Sequence, residues 1–338
     1  MPAGAKGTVT GISDLARIAG VSASTVSRAL AGSKMISLKT RARINELARE
    51  HGFQHNQTAR NLRLKRTNAI GVICLLDMDV GKLFSDSFFG SMLGHVADAI
   101  MARGYDLILT KAVPEEEDWL DSFANSGRVD GAIVIGQANQ QQALRRVAAS
   151  YAPIVVWGQY DEQRVYCSVG TDNQAGGKIA TRHLLDRGRR RVLFAGKADL
   201  PEFRARHEGF LAANREAGVE PAGAVAPLLT AEAAHAAVAD WLDTHAAPDG
   251  VVASSDVVAV AAIRALRERG LRVPEDVPVT GYDDSALAAQ ATPPLTSVRQ
   301  DVVRGSTELV DRLIRRIGGD LCDRVILDPE LVIRASAP

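Results

Sequence analysis

The sequence predicts a small all-α helix-turn-helix head joined to an α/β body of two doubly wound parallel-sheet lobes. Two observations lead to this fold class. Residues 1–68 combine short helical patterns with a strong excess of basic side chains. From residue 69 onward, short apolar runs alternate with helix-length segments, the pattern of a parallel sheet covered on both faces. This second part is long for one such sheet and divides near Tyr160 into two similar halves.

Three short helical patterns open the chain. The first two are separated by Gly20-Val21-Ser22, a glycine turn followed by a serine suited to cap the next helix. A third apolar face includes Ile44 and closes the core, as a helix-turn-helix requires. We place this head at residues 1–55. Residues 56–68 are polar and basic, which predicts a hinge and linker that orders only against something else.

The body, residues 69–338, is predicted to hold two lobes that divide near residue 160, with the chain crossing back near residue 295. Apolar runs predict strands at residues 70–76, 107–110, 132–135, 154–157, 192–195, 251–254 and 277–280. Helices are expected at residues 92–103, 175–186, 206–216, 232–244 and 257–269. Two such lobes with a cleft between them are a usual way to enclose a small ligand.

The charge of the chain is unevenly divided. Its 338 residues hold 40 Lys and Arg and 40 Asp and Glu, so the formal net charge is zero. Residues 1–68 contain twelve of the basic and three of the acidic side chains, which gives +9. The remaining 270 residues hold 28 basic and 37 acidic side chains, which gives −9. A basic head on an acidic body indicates that the head meets a polyanion and the body does not.

Composition excludes several classes of protein. With 46% hydrophobic residues, the chain is neither disordered nor collagen-like. Residues 1–9 lack the apolar core of a signal peptide, and no run reaches the roughly 18 apolar residues of a membrane span, so we expect a cytoplasmic protein without a membrane partner. Cys74, Cys167 and Cys322 are odd in number and far apart, which favours reduced thiols over disulfides or a metal site. We expect neither a metal nor a cofactor.

Several spaced motifs, in the same order, resemble the LacI (lactose-repressor-like) family of transcription regulators. In the head they cover residues 11–30, 39–44 and 56–62. In the body they include Arg206 with Gly209-Phe210, and the run from Val279 to Asp284. The resemblance implies a homodimeric repressor of carbohydrate-utilisation genes that binds a palindromic operator in double-stranded DNA. It also implies a periplasmic-binding-protein-like body controlled by a small sugar, which we expect to be an oligosaccharide or glycoside.

The resemblance also implies which head residues meet DNA. The second helix would lie in the major groove, where Arg28 can pair with guanine O6 and N7. Ser22 can both cap this helix and hold a phosphate. Leu62, an exposed leucine in a basic segment, suits a wedge inserted into the minor groove, with Ala59 beside it. The expected DNA-binding residues are Ser22, Ala23, Ser24, Thr25, Ser27, Arg28, Lys39, Asn56, Ala59 and Leu62.

Residues at the carboxyl ends of the body's strands are expected to face the cleft. Asp283 can accept two hydrogen bonds from neighbouring hydroxyl groups, and Arg206 can donate two. Three aromatic side chains offer flat faces to a sugar ring or pack in the core. For the remaining polar residues, ligand contact and hydrogen bonding within loops are both open. The expected ligand-binding residues are Phe88, Phe89, Trp157, Asn173, Arg206, Asp256, Asp283 and Gln300.

The sequence offers less support for other functions. An enzyme lacks support because no Gly-x-Gly-x-x-Gly follows a strand, and Ile179 stands where a phosphate loop at Gly176-Gly177-Lys178 needs Ser or Thr. A sugar receptor without a regulatory role would share the body but would not need a basic head. A regulator that responds to a non-sugar ligand such as a nucleobase is the remaining alternative.

Replacement of Leu62 by Ala should weaken specific operator binding far more than non-specific binding. Only the specific complex gains from the wedge, because unstacking a base step is repaid there by contacts with bent DNA. Fluorescence anisotropy with operator and random duplexes at one salt concentration measures both affinities. Equal losses on the two duplexes would remove Leu62 from this role.

Overall fold

The computed structural model describes residues 11–30, 32–53, 66–75, 87–111, 119–137, 140–151, 153–160 and 165–338. The chain forms two compact units, Met1–Thr67 and Asn68–Pro338. The expected hinge residues Asn56, Ala59 and Leu62 lie outside the described residues. In the described part of the chain, no helix is long and apolar enough to cross a membrane.

The first unit contains the predicted helix-turn-helix. Its helices are α1 Ile12–Ala19, α2 Ala23–Leu30 and α3 Leu38–Glu50. The turn after α1 uses Gly20 at φ 65°, a left-handed conformation that favours glycine. The Oγ of Ser22 accepts a hydrogen bond from the backbone N–H of Thr25 at 3.2 Å, so Ser22 caps α2 as predicted. Fully or almost fully buried Leu15, Val26 and Ile44, one from each helix, hold the three helices together.

The first lobe of the second unit is built on a six-stranded parallel sheet. Its strands are β1 Ala69–Cys74, β2 Asp106–Lys111, β3 Gly131–Ile135, β4 Ile154–Trp157, β5 Cys167–Thr171 and β11 Val325–Leu327. They stand in the order β11-β5-β4-β3-β1-β2. The helices of this lobe are α4 Ser87–Ala102, α5 Trp119–Ala124, α6 Gln141–Ser150 and α12 Val302–Ile317.

The second lobe has its own six-stranded sheet, in which only the last strand runs antiparallel to its neighbour. Its strands are β6 Val192–Ala195, β7 Gly223–Val225, β8 Gly250–Ala253, β9 Val279–Asp283, β10 Thr296–Arg299 and β12 Glu330–Val332. They stand in the order β12-β10-β9-β8-β6-β7. The helices are α7 Asn173–Asp186, α8 Pro201–Glu216, α9 Ala231–Thr244, α10 Asp256–Glu268 and α11 Ala286–Gln290.

The points where the chain passes between the lobes differ from the sequence prediction. Strand β5 pairs with β4 in the first sheet, so the chain leaves the first lobe near Asp172 and not near residue 160. The chain returns to the first lobe after β10, at Gln300-Asp301. The next helix, α12, packs on α4 of that lobe. The chain crosses once more between β11 and β12. These crossing points could not be predicted from the sequence, because the residues of a short apolar strand do not indicate which of the two sheets it joins.

Helices α7 and α8 pack with their backbones in close approach. A Cβ atom added to Gly177 would lie 2.0 Å from the carbonyl oxygen of Arg206, and one added to Gly209 would lie 2.0 Å from that of Gln174. Glycine is therefore required on both helices at this crossing. The close contact brings the first turn of α7, with Asn173, beside Arg206 of α8.

Replacement of Gly177 by Ala should lower the free energy of unfolding of the body by roughly 1–3 kcal/mol, because a Cβ atom at this position forces the two helices apart. Gly94→Ala is the matched control: Gly94 lies inside α4 with no atom within 4 Å of an added Cβ. This change should stabilise by about 0.5–1 kcal/mol. Chemical denaturation of the full chain measures both values. A neutral Gly177→Ala variant would contradict the close-contact argument.

Candidate functional site

The exposed surface of α2 carries the residues expected to read DNA bases. Ala23, Ser24 and Arg28 are exposed, whereas Val26 and Ala29 of the same helix face the core. The other expected DNA contacts in the described part of the head are exposed at Ser22 and Lys39 and half-buried at Thr25 and Ser27. The helix thus presents one polar edge that a major groove can accept.

The starts of α2 and α3 can both hold phosphate groups. Ser37 caps α3 by accepting a hydrogen bond from the backbone N–H of Thr40 at 3.2 Å, as Ser22 does for α2. Backbone N–H groups in a first helical turn favour anions, and the exposed side chain of Lys39 adds a positive charge there. Arg41 instead donates to the carbonyl oxygen of Gly32 at 3.0 Å. These positions can contact phosphates beside the exposed edge of α2.

A cavity of about 470 Å³ lies between the two lobes of the body. This volume falls within the roughly 300–1,000 Å³ of small-molecule sites. Its walls are built where parallel strands end, as at Trp157 in β4 and Asp283 in β9. Seven of the eight expected ligand-binding residues line the cavity: Phe88, Phe89, Trp157, Asn173, Arg206, Asp283 and Gln300.

The first lobe supplies an aromatic face of this cavity. The rings of Phe88 and Phe89, in the first turn of α4, meet edge to face with centroids 5.3 Å apart. The ring of Trp157 lies 6.4 Å from that of Phe88. Phe88 and Trp157 are buried and Phe89 is half-buried. All three therefore pack in the lobe and still present ring surface to the cavity.

The second lobe supplies a polar face centred on the buried guanidinium of Arg206. Its Nε donates to Asn173 Oδ1 at 2.9 Å, and its Nη1 donates to the carbonyl oxygen of Ser254 at 2.5 Å. The Asp283 carboxylate lies 3.8 Å from Nη1. The guanidinium also lies over the ring of Tyr282, 3.6 Å from its centroid. These partners fix the orientation of Arg206.

Asp283 is hydrogen-bonded to a residue at the point where the chain crosses between the lobes. Its Oδ1 accepts a hydrogen bond from Gln300 Nε2 at 2.7 Å, at the point where the chain returns to the first lobe. The backbone φ angles of Asp283 and Asp284 are 110° and 50°, in the left-handed region that non-glycine residues rarely adopt. Such strain is kept only where the surroundings enforce it, which is typical of functional sites.

Asp256 is a correction to the expected ligand set, because it does not line the cavity. Only 1% of its surface is exposed. Its Oδ1 accepts from Ser297 Oγ at 2.6 Å, and its Oδ2 accepts from the N–H and Oγ of Ser285, both at 2.8 Å. Burial raises its pKa to about 6, although these hydrogen bonds oppose the shift. Asp256 therefore supports the turn after β9 behind the cavity wall.

Gln137, Glu202 and Phe203 are among the cavity residues that the sequence did not predict. Gln137 follows β3 directly, so the rule that strand ends face the cleft could have found it. Glu202 and Phe203 lie in the first turn of α8, which begins at Pro201, five residues before the start that the apolar pattern predicts. Burial raises the pKa of Glu202, against the opposing effect of Arg206 and of nearby backbone N–H groups.

The described residues contain no group of three or more His, Cys, Asp or Glu side chains that could hold a metal ion. All three cysteines are free thiols, and burial raises the pKa values of Cys74 and Cys167 to about 11. Together, a helix-turn-helix head and a two-lobed α/β body with an interlobe cavity define a ligand-binding, DNA-binding protein.

Comparison with known proteins identifies the family within this class. Residues 11–56 match the family described as bacterial regulatory proteins, lacI family, and residues 181–337 match the periplasmic binding protein-like domain. The HTH-type transcriptional regulator CelR of Thermobifida fusca is 32% identical over 332 residues, which cover 95% of this chain and 96% of that protein. The HTH-type transcriptional repressor PurR of Haemophilus influenzae (strain PittEE) is 30% identical over 339 residues, covering 96% and 98%.

A solved structure of a transcriptional regulator CelR–cellobiose complex has the same fold. It superimposes with a TM-score of 0.71 at 30% identity, covering 97% of this chain and 100% of that one. The chain therefore belongs to the LacI family and is a DNA-binding transcription regulator. This membership sets aside the enzyme interpretation, since the relatives are transcriptional regulators.

Replacement of Asp256 by Ala should destabilise the body by on the order of 3 kcal/mol, because the buried hydroxyl of Ser297 and the half-buried donors of Ser285 lose their acceptor. The raised pKa means that the folded wild type holds this proton more tightly than the unfolded chain does. The stability difference should therefore widen as the pH falls from 7 through 6 towards 4. Arg264→Ala, which removes an exposed ion pair on the same helix, is the control and should change stability by less than about 0.5 kcal/mol.

Denaturant titrations of the full chain at several pH values measure these differences. A difference between wild type and Asp256→Ala that does not change with pH would contradict the assigned burial of this carboxylate.

Proposed function

We propose that the interlobe cavity binds a sugar and that this ligand controls operator binding by the head. This proposal rests on one observation: two chemically different walls face each other across the cavity. Phe88, Phe89 and Trp157 present ring surface from the first lobe, and the hydrogen-bonded side chains around Arg206 and Asp283 face it from the second.

A sugar ring matches both walls at once. Its C–H faces are apolar and pack on aromatic rings, while its hydroxyl groups at the ring edge donate and accept hydrogen bonds. Asp283 offers acceptor oxygens, Gln300 donates its amide N–H to one of them, and the amide of Asn173, held by Arg206, also lines the cavity. The cellobiose bound by the related CelR structure is a sugar of the class that we propose, a glycoside.

Ligand binding between the lobes supports a switch. A ligand that touches both lobes stabilises the arrangement in which both walls reach it, and so shifts the population of lobe arrangements. To empty or fill an operator, the effector must favour one state by several kcal/mol. We propose that residues 56–68 transmit this preference, because they join the body to the head in the chain.

The proposal for the DNA side is a homodimeric repressor on a palindromic operator. Two copies related by twofold symmetry place two α2 helices in successive half-sites, with Arg28 of each towards base edges. The +9 charge of residues 1–68 favours phosphate contacts, so affinity should fall steeply with salt.

A nucleobase is the second candidate effector. PurR proteins are 28–30% identical to this chain over nearly their full length, so their identity approaches that of CelR. A flat nucleobase can also stack on Phe88 or Phe89.

A thermal-shift screen of the full chain distinguishes these candidates. The panel contains cellobiose, other neutral disaccharides, monosaccharides, and the nucleobases hypoxanthine, guanine and adenine. A ligand that binds the folded state raises the midpoint of unfolding by mass action. A shift with sugars that also changes operator affinity supports the proposal. Shifts with nucleobases alone, or no shift with any compound, would overturn the sugar assignment.

Replacement of Asp283 by Ala should abolish the response to the sugar found in that screen. The physical reason is the loss of the acceptor that faces the ligand hydroxyls. This replacement also removes the counter-ion of the buried Arg206 and should lower the stability of the body, so operator binding without ligand is measured below the unfolding midpoint of the variant. Asp283→Asn keeps the side-chain shape and should weaken sugar binding by at least tenfold. Asp186→Ala, an exposed aspartate outside the cavity, is the matched control. A normal sugar response in both Asp283 variants would remove this residue from the site.

A further inference from the structure

The second lobe supplies an aliphatic part of the cavity wall in addition to its polar part. Four half-buried aliphatic side chains of this lobe line the cavity. We call them the aliphatic patch: Leu229, Val257, Val260 and Leu287. Because they are only half-buried, these side chains keep apolar surface that a ligand in the cavity can cover.

The aliphatic patch continues the polar wall along the same elements. Ser254, whose carbonyl oxygen accepts from the buried guanidinium, is followed by α10, where Val257 and Val260 lie one helical turn apart. Leu287 lies in α11, which follows the strand end at Asp283. Helices α10 and α11 contact each other. The patch therefore lies beside the polar wall and not across the cavity from it.

Leu229 and Val260 mark two limits of the aliphatic patch. Leu229 packs against the buried core of the first lobe as well as that of the second. Val260 also lines a surface groove, together with the exposed residues Arg264 and Thr292. The patch thus extends from the junction with the first lobe towards the surface of the second.

Many polar groups of the cavity wall already form hydrogen bonds within the protein. Both hydrogens of the Asn173 amide are donated to protein oxygens, at 3.1 and 3.2 Å. The Gln300 amide donates to Asp283. The hydroxyl oxygens of Thr230 and Ser255 accept from backbone N–H groups at the starts of α9 and α10. The side chains of the aliphatic patch offer a ligand no hydrogen bond at all.

We infer that the effector carries an apolar aglycone, an aryl or alkyl group joined to its sugar ring, and that the aliphatic patch binds this group. A second sugar ring at the patch would bring hydroxyl groups that lose water there without gaining a partner. An aryl or alkyl group has no hydroxyl to satisfy and gains by leaving water. This inference rests on the proposed sugar-binding function and adds the chemical class of the glycoside.

The test compares matched glycosides on the full chain by isothermal titration calorimetry. Each pair shares one sugar and differs only in the aglycone: the methyl and phenyl β-glycosides of glucose, of galactose and of xylose. Cellobiose is added to the glucose pair, because it carries a second sugar ring where phenyl β-glucoside carries its aryl group.

The proteins are the wild type, Val257→Thr, Val260→Thr and the control Val303→Thr. Replacement of Val by Thr keeps the shape of the side chain and adds a hydroxyl group. Val303 is the matched control, because it is the second residue of α12 as Val257 is of α10. It is 59% exposed and does not line the cavity.

For a sugar that the wild type binds, the phenyl glycoside should bind at least about tenfold more tightly than the methyl glycoside, and phenyl β-glucoside more tightly than cellobiose. Val257→Thr and Val260→Thr should each reduce the phenyl-to-methyl ratio about threefold or more, and Val303→Thr should leave it unchanged. The ratio is the decisive readout, because a merely structural role would weaken both members of a pair alike. The midpoint of unfolding without ligand shows that each variant is folded.

The outcomes that overturn the inference differ from those that overturn the proposed function. If the two members of a pair bind equally, if cellobiose binds more tightly than phenyl β-glucoside, or if both patch variants keep the wild-type ratio, the aglycone assignment is wrong and the sugar site stands. If no glycoside and no cellobiose binds the wild type, the proposed function fails and the inference fails with it.

Discussion

The buried guanidinium of Arg206 is the constraint on which the body's cavity depends. A charge of this kind is stable inside a protein only when hydrogen-bond acceptors and a counter-ion surround it. Here the acceptors come from the start of α7 at Asn173, the end of β8 at Ser254 and the end of β9 at Asp283. Three separate elements must therefore meet at one point, and the glycine contact between α7 and α8 at Gly177 allows them to do so.

The same arrangement gives the cavity two walls that are each held within one lobe. Its polar wall is fixed by the partners of Arg206 within the second lobe, and its aromatic wall is fixed by packing within the first. The strained backbone at Asp283 and the crossing at Gln300 lie where the two walls meet.

Much of the fold and part of the site could be predicted from local pattern. Continuous apolar strands such as β3 and the capped turn at Ser22 are local features, and the structure confirms them. The prediction of Arg206 and Asp283 at the cavity was also possible, because strand ends and family motifs mark them. Asp256 was expected at the cavity on the same grounds, but its carboxylate accepts hydrogen bonds from two serines behind the cavity wall. Only the packing of the turn after β9 reveals this.

The sequence by itself determined the class of the protein: a basic helical head, an acidic α/β body and the order of their elements follow from charge, periodicity and motif spacing. Only the tertiary structure decided where the chain crosses between lobes and that Glu202 joins the cavity wall. The physical reason is that periodicity and capping act over a few residues. Sheet membership and the pairing of buried charges depend on partners far away in the chain.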